Sequence, residues 1–262
     1  MVHLHMTFQF QMWGWAHILS ILLPAILVVI FHFSMRKKSF QTKRKFGIIL
    51  CCIMIAILIA RNIKVFTVLG FSSQLIPFQV CHLANFILLF AFIFNNKLLF
   101  ALAFCFFLPA AIAATLFADA LYAYSTIFDL RAQVHIWGHA LIVSSIIWAL
   151  LNGFIMIKFK TALLTVGIVA GIYFFLLVFG NVLMVLGTDQ VWYFYVILPE
   201  PGTPLEMFFN WGTQYNWGWF YINPIYMLFK FFLAITVIFT FYGIFLLLMK
   251  FTPVKNSIEP AK

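Results

Sequence analysis

Cys81 and His82 stand side by side at the start of a long apolar segment, and His135 and His139 stand one helical turn apart near the start of another. Hydrocarbon offers no water to hydrogen-bond an imidazole, so polar groups in apolar segments tend to face a cavity or a bundle interior and to mark function. A thiol becomes a nucleophile when an imidazole takes its proton or a cation stabilises the thiolate. The i, i+4 spacing aims His135 and His139 the same way, and Arg131 extends that stripe by one turn. Asn85 lies one turn beyond Cys81 on the same helical face, where it or His82 could donate to an oxyanion.

The elements that must position these groups follow from composition. The 262 residues are 65% hydrophobic and 8% charged, with a mean hydropathy of +1.09, too little polar surface to coat a water-soluble globule. The chain is expected to be an all-α, polytopic transmembrane helical bundle. Runs long enough to cross about 30 Å at about 1.5 Å per residue place roughly seven spans, near 13–33, 46–68, 77–94, 98–117, 134–157, 162–186 and 222–248. One integral membrane domain is expected over residues 1–262, with a long aromatic loop at 187–221. That loop holds Pro199, Pro201 and Pro204 among Trp192, Tyr193, Tyr195, Trp211, Tyr215, Trp217, Trp219 and Tyr221, which suits a headgroup belt or a lid.

Charge sets the expected orientation. The connection 35–45 carries Arg36, Lys37, Lys38, Lys43, Arg44 and Lys45, which puts it in the cytoplasm and the N-terminus outside. Lys97, Lys158, Lys160, Lys250, Lys255 and Lys262 then fall inside, whereas Asp119, Asp129, Asp189, Glu200 and Glu206 fall outside, and the C-terminus is inside. The net charge of +10 is topological, and no nucleic-acid-binding pattern accompanies it. Cys51, Cys52, Cys81 and Cys105 all fall in apolar runs without metal-ligand spacing, so neither a disulfide framework nor a metal site is expected, and no signal peptide is apparent. No cofactor is called for, and the cell membrane is the expected location.

Orientation turns chain position into depth. Cys81 falls about one turn, roughly 6 Å, below the outer boundary, and His139 at a similar level. Arg61 and Lys64 near the outer end of span two, His17 in span one, Asn181 in span six and Lys230, eight residues past Ile222, fall in the same outer zone. Their common level points to one outward polar cavity. A thiol-dependent acyl transfer fits it: Cys81 attacks a lipid ester, His139 shuttles the proton, His82, Asn85, His135 and Asn181 support them, and Arg61, Lys64, Arg131 and Lys230 hold the lipid phosphate.

Each residue also has a structural reading. Intramembrane cysteines fill space, paired histidines join helices, Arg61 and Lys64 can snorkel, and His17 and His32 suit the interfaces. A transporter or anion-binding protein could use the same cations, and a haem protein could use two of His17, His82, His135 and His139 as axial ligands. A retinal-type pigment is rejected, because all six Asp and Glu fall outside the spans and leave Lys230 no counter-ion.

The segment FQVCHLANFILLF, followed by HIWGHALIV and by GNVLMVLGTD ahead of a Pro- and aromatic-rich loop, resembles the YwaF-like, transmembrane protein 164 family of multi-span membrane proteins. The resemblance covers roughly 77–226. It implies acyltransferase activity on membrane phospholipids, with Cys81 in the place of the family's cysteine and His139 in that of its histidine.

Overall fold

The computed structural model describes residues 9–188, 191, 193–199 and 203–251. Seven helical segments are long and apolar enough to cross a membrane, and the described chain is an all-α polytopic bundle apart from one short hairpin. Asp189, Trp192, Glu200, Pro201, Lys255 and Lys262, named above for the loop and for the charge pattern, lie outside the described residues.

The first two spans are α1, Trp15–Met35, and α2, Phe40–Leu69. The basic stretch expected as a connection over 35–45 is mostly helix. Ser39 caps α2 by accepting from the Thr42 N–H at 3.2 Å, which starts the helix six residues before the expected 46 and puts Lys43, Arg44 and Lys45 on its first turns. Span three is α3, Val80–Phe94, closed by Asn95 in the left-handed region. Arg44 reaches across to its end, donating from Nε to the Phe92 carbonyl at 2.8 Å and from Nη2 to that of Ile93 at 2.5 Å.

Span four is built from α4, Lys97–Leu102, a π-helical turn, Ala103–Phe107, and α5, Leu108–Leu116. The bulge has a local cause. Pro109 lacks an N–H and its ring would strike the Cys105 carbonyl of a regular helix, and the wider turn relieves both problems.

Span five, α6, runs Leu130–Leu151, not 134–157. Asp129 caps it by accepting from the Arg131 N–H at 2.8 Å, and Gly153 with φ +77° ends it. The apolar residues 154–157 that made the run look longer are non-helical chain, with Phe154, Ile155 and Ile157 buried in the core. Span six is α7, Phe159–Val185, and span seven is α9, Pro224–Phe251. Between them lie α8, Pro204–Asn210, and an antiparallel hairpin of β1, Tyr215–Trp217, and β2, Phe220–Ile222. The expected long loop is therefore partly folded.

Lateral order is now legible. Helix α6 packs on α1, α2, α3 and α5, α2 also packs on α3, and span four bridges this group to the α7–α9 pair. Near the basic end of the bundle Phe92, fully buried, is wedged among Phe100, Trp148 and Phe154. Gly47 of α2 lets α3 approach: a Cβ there would lie 2.5 Å from the Phe92 ring. Small residues permit such approaches where packing, not the hydrophobic effect, holds helices together. Gly47→Ala is expected to cost about 1–3 kcal/mol through overpacking, read as a lowered melting temperature in detergent; an unchanged midpoint would show that Phe92 can move aside.

Candidate functional site

The thiol sits where a helix begins. Gln79 precedes α3 without a side-chain cap, so the first-turn N–H groups lack intrahelical partners. Cys81 is half-buried, with the backbone N–H groups of Cys81 and His82 directed toward its sulfur. Such groups favour negative charge on the thiol or on an adjacent oxygen.

Arg61 comes to this turn from α2. Its Nη1 donates to the Gln74 carbonyl at 2.6 Å and to Asn62 Oδ1 at 3.0 Å, and its Nη2 donates to Gln74 Oε1 at 3.3 Å. Buried and pinned in this way, it is not a snorkelling side chain. It stands within charge–charge range of Cys81, His82 and Arg131. Lys64, one turn further along α2, is exposed and free to reach the headgroup level.

From α6, Arg131 lies half-buried over the Tyr124 ring at 5.2 Å, its Nε without a hydrogen-bond partner. Arg61 and Arg131 are within electrostatic range of each other, and neither forms a salt bridge among the described residues. Two guanidinium groups within reach of the start of α3 are groups of the kind that can bind an anion.

The two histidines of α6 divide their work. His135 donates from Nε2 to the Ala114 carbonyl at 3.3 Å, satisfying one of the last carbonyls of α5. His139 is buried, its ring centroid 4.3 Å from that of His135, and its Nδ1 is 2.7 Å from the His135 carbonyl. A carbonyl can only accept, so Nδ1 carries the hydrogen and Nε2 keeps its lone pair. The His135 carbonyl thereby fixes the tautomer and the orientation of the His139 ring. It is within electrostatic range of His82, the neighbour of Cys81, but no hydrogen bond joins the thiol to the His139 ring. His82 Nδ1 and Asn85 Oδ1 are buried without hydrogen-bond partners, polar atoms directed at no protein group.

Other expected members have partners elsewhere. Asn181 is fully buried and exchanges two hydrogen bonds with the Tyr221 backbone, 3.1 Å from Nδ2 to the carbonyl and 2.6 Å from the N–H to Oδ1. It docks the hairpin on α7. Asn181→Ala is expected to cost about 1–3 kcal/mol by unpairing both groups and to speed proteolysis in 203–222; equal cleavage rates would remove this role. Lys230 is buried against the Phe194 carbonyl. His17, expected at an interface, is fully buried: Nδ1 accepts from the Trp13 N–H at 3.0 Å, so Nε2 donates to the Thr115 carbonyl, also at 3.0 Å. These polar residues therefore form separate sets, with Arg61, Cys81, His82, Arg131 and His139 carried by α2, α3 and α6, which pack on one another.

Sequence reasoning missed Gln74, Tyr124 and the carbonyls of Ala114 and Thr115. Ser72, Ser73 and Gln74 are the polar residues between spans two and three, a weak signal; a backbone carbonyl has none. A family model described as the TMEM164 family matches residues 9–249. No curated protein and no solved structure matches the chain.

Proposed function

The chain belongs to the TMEM164 family, and from that premise we propose that it transfers acyl groups between membrane phospholipids through Cys81. The observation that carries this reading is the half-buried thiol on an uncapped helix start, beside Arg61 and across from a helix whose His139 holds a free Nε2.

In the first half-reaction His139 Nε2 takes the thiol proton, the sulfur attacks the donor ester, a C–S bond forms and the ester C–O bond breaks. The departing alkoxide recovers the proton from His139 and leaves as a lysolipid. In the second, His139 takes the proton of an acceptor hydroxyl, whose oxygen attacks the thioester; a C–O bond forms, the C–S bond breaks, and the thiolate is reprotonated. Both tetrahedral oxyanions develop next to the N–H groups of Cys81 and His82, which need no reorganisation to receive them. Arg61 and Arg131 hold the lipid phosphate, with Lys64 at the headgroup level and Asn85 and His82 supplying further polar contacts. With the N-terminus outside, the site opens to the outer leaflet of the cell membrane. The thiol–His139 distance closes when substrate is bound, as catalytic hydrogen bonds commonly do.

Arg61 and Arg131, within electrostatic range of each other and without a salt bridge among the described residues, also favour a second reading, an anion-binding or transport protein. Comparative lipid analysis of membranes holding the wild-type or the Cys81→Ser protein separates the two: loss of remodelling supports acyl transfer, and ligand binding indifferent to Cys81 supports the second.

A further inference from the structure

A lysine within an apolar bundle must find partners, and Lys230 finds one on a neighbouring loop. Lys230 of α9 is 6% exposed, and its Nζ donates to the Phe194 carbonyl at 2.7 Å. The same ammonium lies over the rings of Tyr173, Tyr195 and Tyr226 at 5.5, 5.9 and 5.9 Å. The carbonyl belongs to a segment that would not choose its shape alone. Phe194 and Tyr195 are consecutive non-glycine residues at φ +49° and +53°, a left-handed pair that surrounding structure must hold.

The segment is set into the bundle, not laid over it. Tyr193, Phe194, Val196 and Ile197 are buried, and the Phe194 ring stacks on Phe106 of the π-helical turn at 6.0 Å. One residue before the lysine's carbonyl, the Tyr193 hydroxyl donates to the Ser73 carbonyl at 2.6 Å, and the Tyr193 ring meets Phe78 edge-on at 5.9 Å. Ser73 belongs to the turn 72–76, whose next residue, Gln74, holds Arg61 with both its carbonyl and its side chain. Leu75 accepts from Asn62 Nδ2 at 2.9 Å, and Cys81 follows three residues after Phe78. A continuous run of hydrogen bonds and packed rings thus leads from Lys230 to the guanidinium beside the thiol.

We infer that 193–197 is a strap fastened by Lys230, which holds the turn 72–76, and with it Arg61, in place against the start of α3. Lys230 is then a positioning residue, acting through Phe194, Tyr193 and Gln74, and not a phosphate ligand. The inference rests on Cys81 being the reacting thiol, but its test does not require acyl transfer.

The test is the rate at which N-ethylmaleimide alkylates Cys81 in the purified full-length protein in detergent, read on the Cys81 peptide by mass spectrometry. Lys230→Met removes a hydrogen bond from a charged donor, releases the turn 72–76 and takes the Arg61 charge from beside the thiol, so it is expected to lower that rate about tenfold or more. Tyr193→Phe removes one oxygen further along the same run and is expected to lower it several-fold. Because the two act in series, Tyr193→Phe should add nothing in the Lys230→Met background, whereas independent structural lesions would multiply. Wild-type or raised rates in both single variants, or multiplying effects in the double variant, overturn the strap. If Lys230→Met does not fold, Tyr193→Phe alone decides it: an unchanged or raised rate overturns the inference and a lowered one sustains it. A wild-type protein that never carries an acyl thioester defeats the acyl-transfer reading and leaves the labelling result standing.

Discussion

Cys81→Ser is expected to abolish lipid remodelling, reducing the change in phospholipid acyl composition to that of membranes without the protein. The substitution keeps the shape of the side chain and the N–H groups of Cys81 and His82 around it, so the bundle should fold as before. What is lost is the nucleophile. A serine hydroxyl at this position gains too little from Arg61 and the helix start to ionise, whereas a thiol ionises far more readily and is intrinsically the stronger nucleophile. The wild-type protein should carry an acyl chain on the Cys81 peptide that neutral hydroxylamine releases, and the Cys81→Ser protein should carry none. Undiminished remodelling by Cys81→Ser, with no thioester on the wild type, would dismiss the mechanism and turn attention to anion binding by Arg61 and Arg131.

The second large effect is expected at His139, the proposed base. His139→Ala is expected to lower the rate of acyl transfer about 10²–10⁴-fold, the usual contribution of a positioned general base. The Cys81 thiol should remain open to alkylation, because the substitution leaves the turn at Val80 and the Arg61 contacts untouched. His135→Phe is the matching control. Its ring satisfies the Ala114 carbonyl, while the bond that orients His139 comes from the His135 backbone, which the substitution keeps. A loss confined to His139 supports its role as base; equal losses at both positions would make the pair a structural joint between α5 and α6.

The spans were legible because transfer free energy accumulates along a run of residues. Trp15–Met35, Phe159–Val185 and Pro224–Phe251 begin and end within three residues of the expected limits. Where the ends moved further, a capping contact or a left-handed glycine outweighed hydropathy. Ser39 and Thr42 begin α2 inside the basic stretch, Asp129 begins α6 early, and Gly153 stops it while the chain is still apolar. Arg44 shows why a charged residue close to an apolar run need not be loop. Its guanidinium is used on the carbonyls that end α3, a helix more than forty positions away in the chain.

From residue order alone came the membrane class, about seven helices, and a concentration of thiol, imidazole and guanidinium groups toward one end of the bundle. These follow from periodic and additive properties, the cost of each side chain in hydrocarbon and the rise of a helix. The tertiary structure decided how that concentration divides. Arg61 is captured by Gln74 and stands by Cys81 and Arg131, Lys230 is held by Phe194, Asn181 by the hairpin, and His17 by the end of α5. Depth along the membrane can be counted in residues, because every span shares one axis. Which helices lie side by side, and which carbonyl meets which donor, depends on packing between segments far apart in the chain, and no count along one helix contains it.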